Sequence, residues 1–242
     1  MSEPVAHDGA QPVAVIMAGG RGQRLRPLTD KVPKPLLKVG RSSIIERIIT
    51  ALAAAGIHDV FLSVNYKAEE FERRLGDGSE LGVALHYVRE RTAMGTAGAL
   101  SLLPTRPAGP VLVTNGDILT RLEFARLLDD HRDHGAAATV GAVEHVSTIP
   151  YGVLRTDGDR LVGLEEKPEI RVLCNAGFYV LEPAVLDLLT AGEALDMPAL
   201  LQRALDRDLP VHVFPVVERW FDIGSPEDFQ HVLLEFATGE ED

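Results

Sequence analysis

Four short apolar runs in the first half of the chain constrain its fold more than any other feature. Pro12 to Ala18, Asp59 to Val64, Val83 to Val88 and Pro110 to Thr114 have the length and the β-branched or aliphatic content of buried strands. Helical patterns separate them. Ser43-Ile44-Ile45-Glu46 has the capping-box spacing and opens a helix that runs to Ala55 and stops at Gly56. A charged helix, Ala68 to Leu75, ends at Gly76-Asp77-Gly78. Strands alternating with helices in this way predict a parallel sheet with right-handed crossovers. After about residue 136 the rhythm changes. Ala137 to Val143, Tyr151 to Arg155, Arg160 to Glu165 and Phe178 to Leu181 read as strands, with Asp157-Gly158 as a hairpin signal. A helix from Met197 to Asp206, a strand from Val211 to Val216 and a helix from Pro226 to Phe236 follow. The expectation is one α/β domain over residues 12–236, Rossmann-like and doubly wound, with a mostly parallel mixed sheet. Residues 1–11 are expected to be a loosely held start, and residues 237–242 an acidic tail.

Charge is distributed unevenly on this frame. The 242-residue chain has a formal net charge of -12, yet residues 19–38 hold Arg21, Arg24, Arg26, Lys31, Lys34 and Lys38 against the single acid Asp30. An acidic protein lacks the basic stripes that nucleic-acid binding needs. The local patch suits a small anion instead. Gly19, Gly20 and Gly22 follow the first strand, where backbone N–H groups can approach a phosphate and form an anion-holding nest. The segment is neither a Walker loop nor a dinucleotide fingerprint: no Gly-Lys-Ser/Thr follows, and no helix opens directly. Pro27, Pro33 and Pro35 predict an extended loop carrying the cations. In open α/β sheets ligands bind at the carboxyl ends of strands, where Asn115-Gly116-Asp117 also falls.

Other features place the chain or remain unremarkable. Cys174 is the only cysteine, which rules out an intrachain disulfide, fits a reducing cytoplasm, and reads as a packed small residue. Residues 1–11 lack the pattern of a signal peptide, and no apolar run is long enough to span a membrane. His131 and His134 have metal-like spacing on a helix, but no third ligand is evident and an exposed helix surface explains them. Asp157-Gly158-Asp159 has the form of an Asp-x-Asp metal motif, although a hairpin turn accounts for it better.

The stretch "MAGGRGQRLRPLTDKVPKPLL" (17–37) resembles the signature of the sugar-1-phosphate nucleotidylyltransferases, roughly G-G-x-G-T-R-L-x-P-L-T, a spacer, then P-K-P. Further blocks match in the same order: "MGTAGAL" (94–100), "NGDILT" (115–120), "YGV" (151–153), "EEKP" (165–168), "NAGFYVLEP" (175–183) and "WFDIGSPEDF" (220–229). Gln23 departs from the pattern, standing where the family has Thr. The resemblance implies the nucleotide-diphospho-sugar transferase fold and transfer of a nucleotidyl group to a sugar 1-phosphate with loss of pyrophosphate. By the same resemblance Arg24 and Lys34 are the catalytic cations contacting the phosphates. Ala18, Gly19, Gly20, Gly22, Gly95, Thr96, Ala97, Gly98 and Asn115 would border the nucleotide. Gly116, Gly152, Glu166, Lys167, Asn175 and Gly177 would face the sugar phosphate, and Asp117 and Asp222 would hold Mg²⁺.

Within that family the chain is most similar to guanylyltransferases of the mannose-1-phosphate type, because of the "GTAGAL" block and Lys34-Pro35. GTP is therefore the expected nucleotide, with UTP or dTTP as alternatives, and a sugar or cyclitol 1-phosphate the expected acceptor. The resemblance further implies a cytoplasmic homodimer without nucleic-acid or membrane partners, and without the left-handed β-helix extension of longer relatives. Two rival classes fit the sequence less well. A catalytically silent regulator would usually have lost a signature cation or acid, and this chain keeps Arg24, Lys34, Asp117, Lys167 and Asp222. A glycosyltransferase would want two acids after the fourth strand, where "NGDILT" has one.

Overall fold

A computed structural model describes residues 10–238, so most of the expected loose start (1–9) and of the acidic tail (239–242) lies outside the described residues. The chain opens with β1 (Val13–Met17), the short pair β2 (Lys38–Val39) and β3 (Ser42–Ser43), and α1 (Ile44–Ala54). The capping box is formed: Ser43 Oγ accepts from the Glu46 N–H, and a Glu46 carboxylate oxygen accepts from the Ser43 N–H. Two orphan donors of the first turn are thereby satisfied. β4 (Asp59–Val64), α2 (Ala68–Leu75), β5 (Ala84–Arg89), the single turn α3 (Gly95–Gly98) and β6 (Val111–Asn115) complete the alternating half, each within a residue or two of its expected place.

The second half runs β7 (Ile118–Thr120), α4 (Phe124–His134), β8 (Ala138–Thr148), β9 (Gly152–Asp157), β10 (Arg160–Glu166) and β11 (Glu169–Leu181). Then come α5 (Pro183–Leu186), α6 (Met197–Leu205), β12 (Val211–Pro215), β13 (Trp220–Asp222) and α7 (Pro226–Thr238). Seven strands form one sheet in the order β12-β8-β11-β6-β1-β4-β5. β11 runs antiparallel to both its neighbours, and every other pairing in the sheet is parallel. The expected change of rhythm is thus one reversed strand inserted into a continuous sheet.

Alternation along the strands feeds two apolar layers. Ala14 and Ile16 of β1 face the layer built from α1, α2, α4 and α7, with Ile45, Phe71, Phe124 and Val232 buried in it. Val15 faces the other layer, filled by Ala97, Val185, Met197 and Leu200. Burial on both faces explains why the early strands read as continuous apolar runs.

Two local expectations are corrected, and one strand carries a bulge. Strand β8 continues to Thr148 and β11 begins at Glu169, so the two extend as a ribbon well past the sheet body. Asn175-Ala176-Gly177, which has turn composition, lies inside β11 as a bulge where the register to β8 slips between Asn175 and Tyr179. Cys174 is not packed in the core; it is half-buried on that ribbon. By contrast Asp157-Gly158-Asp159 is the expected hairpin turn between β9 and β10, Arg160 pairing with Asp157.

Gly177 at the bulge has φ +75, and a Cβ there would stand 2.7 Å from Asn115 Nδ2. Only glycine meets both demands without strain. Gly177→Ala is expected to cost about 2–3 kcal/mol in urea unfolding, from the left-handed backbone and the displaced Asn115 together. A change under about 0.5 kcal/mol would show that the bulge relaxes freely.

Candidate functional site

The loop after β1 is folded back on itself. Gln23–Leu25 and Lys34–Leu36 form single 3-10 turns, so the prolines shape two tight turns and not the extended loop expected from them. Thr29 Oγ1 donates to the Gly22 carbonyl at 2.7 Å and Lys67 Nζ donates to the Asp30 carbonyl at 2.5 Å, tying the loop to itself and to the start of α2. Arg26 pairs with Asp30 on the outside at 3.4 Å.

Among the six clustered cations, Lys34 is set apart. Its side chain is only 9% exposed, and its ammonium lies 2.6 Å from Asp117 Oδ2 and 3.9 Å from Asp222 Oδ1. A lysine so buried requires paired charge, which the two acids supply. Asp117 follows β6 at the carboxyl end of the parallel strands. Asp222 arrives through an antiparallel pairing of β7 with β13, in which Asp222 sits opposite Ile118. That pairing is extended by Thr120 Oγ1 donating to the Arg219 carbonyl and by the Ile223 N–H donating to the Asp117 carbonyl. Burial pushes the Asp222 carboxyl above its ordinary value, and the neighbouring Asp117 charge pushes it further, against the pull of Lys34 and Arg24.

A cleft of about 510 Å³ opens beside this cluster. Ala18, Gly20, Gly22, Arg24, Lys34 and Asp117 line it, six of the expected site residues brought together. Arg21, Gln23 and Gly224 also line it and were not expected. The Arg24 guanidinium lies close to Gly224, where a Cβ would be 3.5 Å from it. Gly19 lies behind the cleft against Glu90, whose carboxylate accepts from Ser63 Oγ at 2.6 Å and from the Met94 N–H at 2.9 Å. Glu90 was overlooked; its place directly after β5, at a strand's carboxyl end, was the available signal.

Gly95 to Gly98 have a packing role. The Ala97 and Gly98 N–H groups donate to the Leu195 carbonyl, and added Cβ atoms at Gly95 or Gly98 would meet the backbone of residues 193–195. Thr96 Oγ1 accepts from the Met197 N–H, capping α6, while its own N–H donates to Asp196. The short turn is therefore packed and hydrogen-bonded against residues 193–197.

Asn115, Asn175 and Gly177 gather at the bulge beside β6. Asn175 Oδ1 accepts from the Gly177 N–H at 2.9 Å, and Asn175 Nδ2 donates to the Tyr179 hydroxyl at 2.7 Å. Trp220 Nε1 donates to the Ala176 carbonyl at 2.9 Å, so the strand that delivers Asp222 also pins the bulge. Gly116 packs against β1, its N–H donating to the Met17 carbonyl. Gly152 and Glu166 pair across the β9–β10 ribbon. Lys167, exposed and with φ +49, follows that ribbon, its N–H donating to the Tyr151 carbonyl. The contacts of these last three residues are local to the ribbon and do not join the Lys34 cluster.

The arrangement places a buried cation and Asp117 in the lining of a glycine-walled, arginine-bearing cleft, with Asp222 beside them. The Asp222 carboxyl is expected to titrate above about 3.9, the ordinary aspartate value. In Asp117→Asn, NMR titration should show its midpoint falling, since the like charge is gone. Sign follows directly: a raised folded value means ionising Asp222 costs stability, so stability conferred by its neutral form is lost as pH rises through that midpoint. An unmoved midpoint in Asp117→Asn would exclude coupling of the two carboxylates.

Among the described residues no helix is long and apolar enough to cross a membrane. The mannose-1-phosphate guanylyltransferase of Mycobacterium tuberculosis is 37% identical over 93% of this chain and 65% of its own length. The mannose-1-phosphate guanyltransferase of Candida albicans is 36% identical over 89% of the chain and 62% of its own. This chain thus spans somewhat under two thirds of these relatives. In fold it resembles HddC from Yersinia pseudotuberculosis complexed with GMP-PN, with TM-score 0.69, 22% identity, and coverage of 92% of this chain and 98% of that one. It also resembles a Bacillus anthracis protein provisionally described as a glucose-1-phosphate thymidylyltransferase, with TM-score 0.77, 22% identity, and coverage of 96% and 98%. The family model for nucleotidyl transferases matches residues 13–238, nearly the whole span whose strands, glycine loop and paired aspartates have been described, and the chain belongs to that nucleotidyl transferase family.

Proposed function

We propose that the chain transfers a nucleoside monophosphate from GTP to a sugar 1-phosphate, with mannose 1-phosphate the foremost acceptor and a cyclitol 1-phosphate the next. An oxygen of the acceptor phosphate bonds to the α-phosphorus. The bond from that phosphorus to the bridging oxygen breaks, and pyrophosphate leaves with the electron pair. Two polyanions must meet, so the site has to supply positive charge and orientation more than a covalent nucleophile.

The observation that carries this reading is Lys34, buried beside the cleft and held between Asp117 and Asp222. Its ammonium is fixed before substrate arrives, so it needs no reorganisation to meet phosphate charge. Arg24, on the same wall, offers a forked donor suited to phosphate oxygens. The N–H groups of residues 19–22 supply the close backbone approach that glycine permits. Asn175 and Gly177 at the bulge, with Gly116, Gly152, Glu166 and Lys167, would face the acceptor. The printed names of the relatives support guanine and mannose 1-phosphate.

Asp117 and Asp222 fit a hard divalent cation. Two carboxylates converge on one ammonium, and the reluctance of Asp222 to ionise beside Asp117 is what a further cation would relieve. They would hold Mg²⁺, which when bound neutralises phosphate charge. A cytoplasmic setting and pairing of two copies belong to the same reading; sedimentation velocity decides the latter.

Pyrophosphate release with Mg²⁺, crossing five nucleoside triphosphates against sugar and cyclitol 1-phosphates, tests the proposal. GTP with mannose 1-phosphate should give the strongest signal. Lys34→Ala should lower kcat/KM for the triphosphate by roughly 10²–10³-fold, the loss typical of one preorganised electrostatic donor. Asp117→Ala should abolish Mg²⁺-dependent turnover. Wild-type activity in both variants refutes the site. Silence across the panel, with thermal stabilisation by nucleotide, favours a regulator that binds without turnover.

A further inference from the structure

Asn65, Tyr66 and Lys67 follow β4 directly, at the carboxyl end of the parallel strands. Lys67 is one of three non-glycine residues with positive φ among those described, at φ +55 and ψ +44. A left-handed backbone disfavours a side chain, and such conformations persist where the surroundings impose them. Both ends of Lys67 are held. Its carbonyl accepts from the Glu70 N–H at the opening of α2. Its Nζ donates to the Asp30 carbonyl at 2.5 Å and lies over the Tyr66 ring, 5.0 Å from the centroid. On the nucleotidyl-transfer reading above, we propose that Lys67 is a positioning residue for the triphosphate: its ammonium straps the loop after β1 into its phosphate-binding shape.

The strap can be followed bond by bond. Asp30 closes a turn, its N–H donating to the Pro27 carbonyl at 3.1 Å. Thr29, the residue before it, is buried and donates from Oγ1 to the Gly22 carbonyl at 2.7 Å. That same carbonyl accepts from the Leu25 N–H, within the turn that carries Gln23 and Arg24. Gly22, Gln23 and Arg24 line the cleft. Lys67 thus acts on the cleft wall through Asp30 and Thr29.

Its own footing is tied to the sheet, because Asn65 Nδ2 donates to the Glu90 carbonyl at 2.9 Å, just past β5. The Asp30 carboxylate pairs with Arg26, and the ammonium meets a main-chain oxygen instead, whose place the loop backbone alone sets. A bond from a charged donor is roughly twice as strong as one between neutral groups. Electrostatics makes such a tie useful. Residues 19–38 hold six cations against one acid, and with no anion bound these cations repel one another and open the loop. A loop held in shape beforehand pays less of its ordering cost when the triphosphate binds.

Lys67→Gly tests this in a chain that folds, because glycine adopts φ +55 freely. Lys67→Arg is the conservative control, keeping a cation that can donate to a carbonyl. In hydrogen exchange of the free protein, followed by mass spectrometry, peptides covering residues 19–31 should exchange about tenfold faster in Lys67→Gly, with α4 unmoved. In pyrophosphate release, KM for the triphosphate should rise about tenfold, the factor that one charge-assisted hydrogen bond supplies. kcat and the KM of the acceptor should stay within about twofold, the pattern of lost binding without lost chemistry. Lys67→Arg should restore both readouts. Unmoved exchange over residues 19–31 overturns the proposal. So does an unchanged KM for the triphosphate, a loss confined to kcat, or failure of Lys67→Arg to restore. If the wild type releases no pyrophosphate with any pair in the panel, the functional reading fails, and the exchange measurement alone decides the strap.

Discussion

A buried ammonium shared by two carboxylates is the constraint around which this molecule is organised. Lys34 is almost wholly withdrawn from water, and an unpaired charge in that position would be costly by several kcal/mol. Asp117 and Asp222 make it tolerable, and each needs Lys34 in return, since alone they would repel. The rest of the local structure holds this three-body balance. The 3-10 turn at Lys34–Leu36 aims the lysine inward, β6 ends at the right place for Asp117, and the β7–β13 pairing delivers Asp222. Burial and the Asp117 charge together raise the Asp222 carboxyl, which Lys34 and Arg24 offset only in part.

The reversed strand β11 links this cluster to the outer ribbon. Its inner half lies between β6 and β8 in the sheet body, and its outer half forms the ribbon with β8. The bulge between them holds Gly177 against Asn115, and Trp220 fastens it from the β13 side. One short strand therefore serves both bulge and cluster: its indole braces the bulge and its last residue is a cluster acid.

Much of this was legible because its causes are local. The capping box at Ser43 and Glu46, the apolar runs of β1, β4 and β6, and the glycine loop all depend on residues near in sequence, and the ordered blocks picked out Arg24, Lys34, Asp117 and Asp222, which the fold brings together. What escaped depended on partners far away. β7 and β13 have three residues each, too few to show a period, and their contact joins Thr120 to Arg219, 99 residues apart. Asn175-Ala176-Gly177 has the composition of a turn, and only pairing on both sides keeps it in a strand. The outer ribbon was truncated because its residues are exposed, which removes the apolar signal. His131 and His134 read alike; what separates them is that Thr139 and Glu182 meet the first, which is buried, and His212 stacks on the second.

The late arrival of Asp222 has a consequence for synthesis on the ribosome. A growing chain that has emerged as far as β12 can already hold the glycine loop, Lys34 and Asp117, but the second acid and the indole that braces the bulge are still inside the exit tunnel. Completion of the Lys34 cluster is thus deferred until β13 has emerged and paired with β7. Until then a partly made chain holds the glycine loop and Lys34 with only one of the two acids that balance its charge.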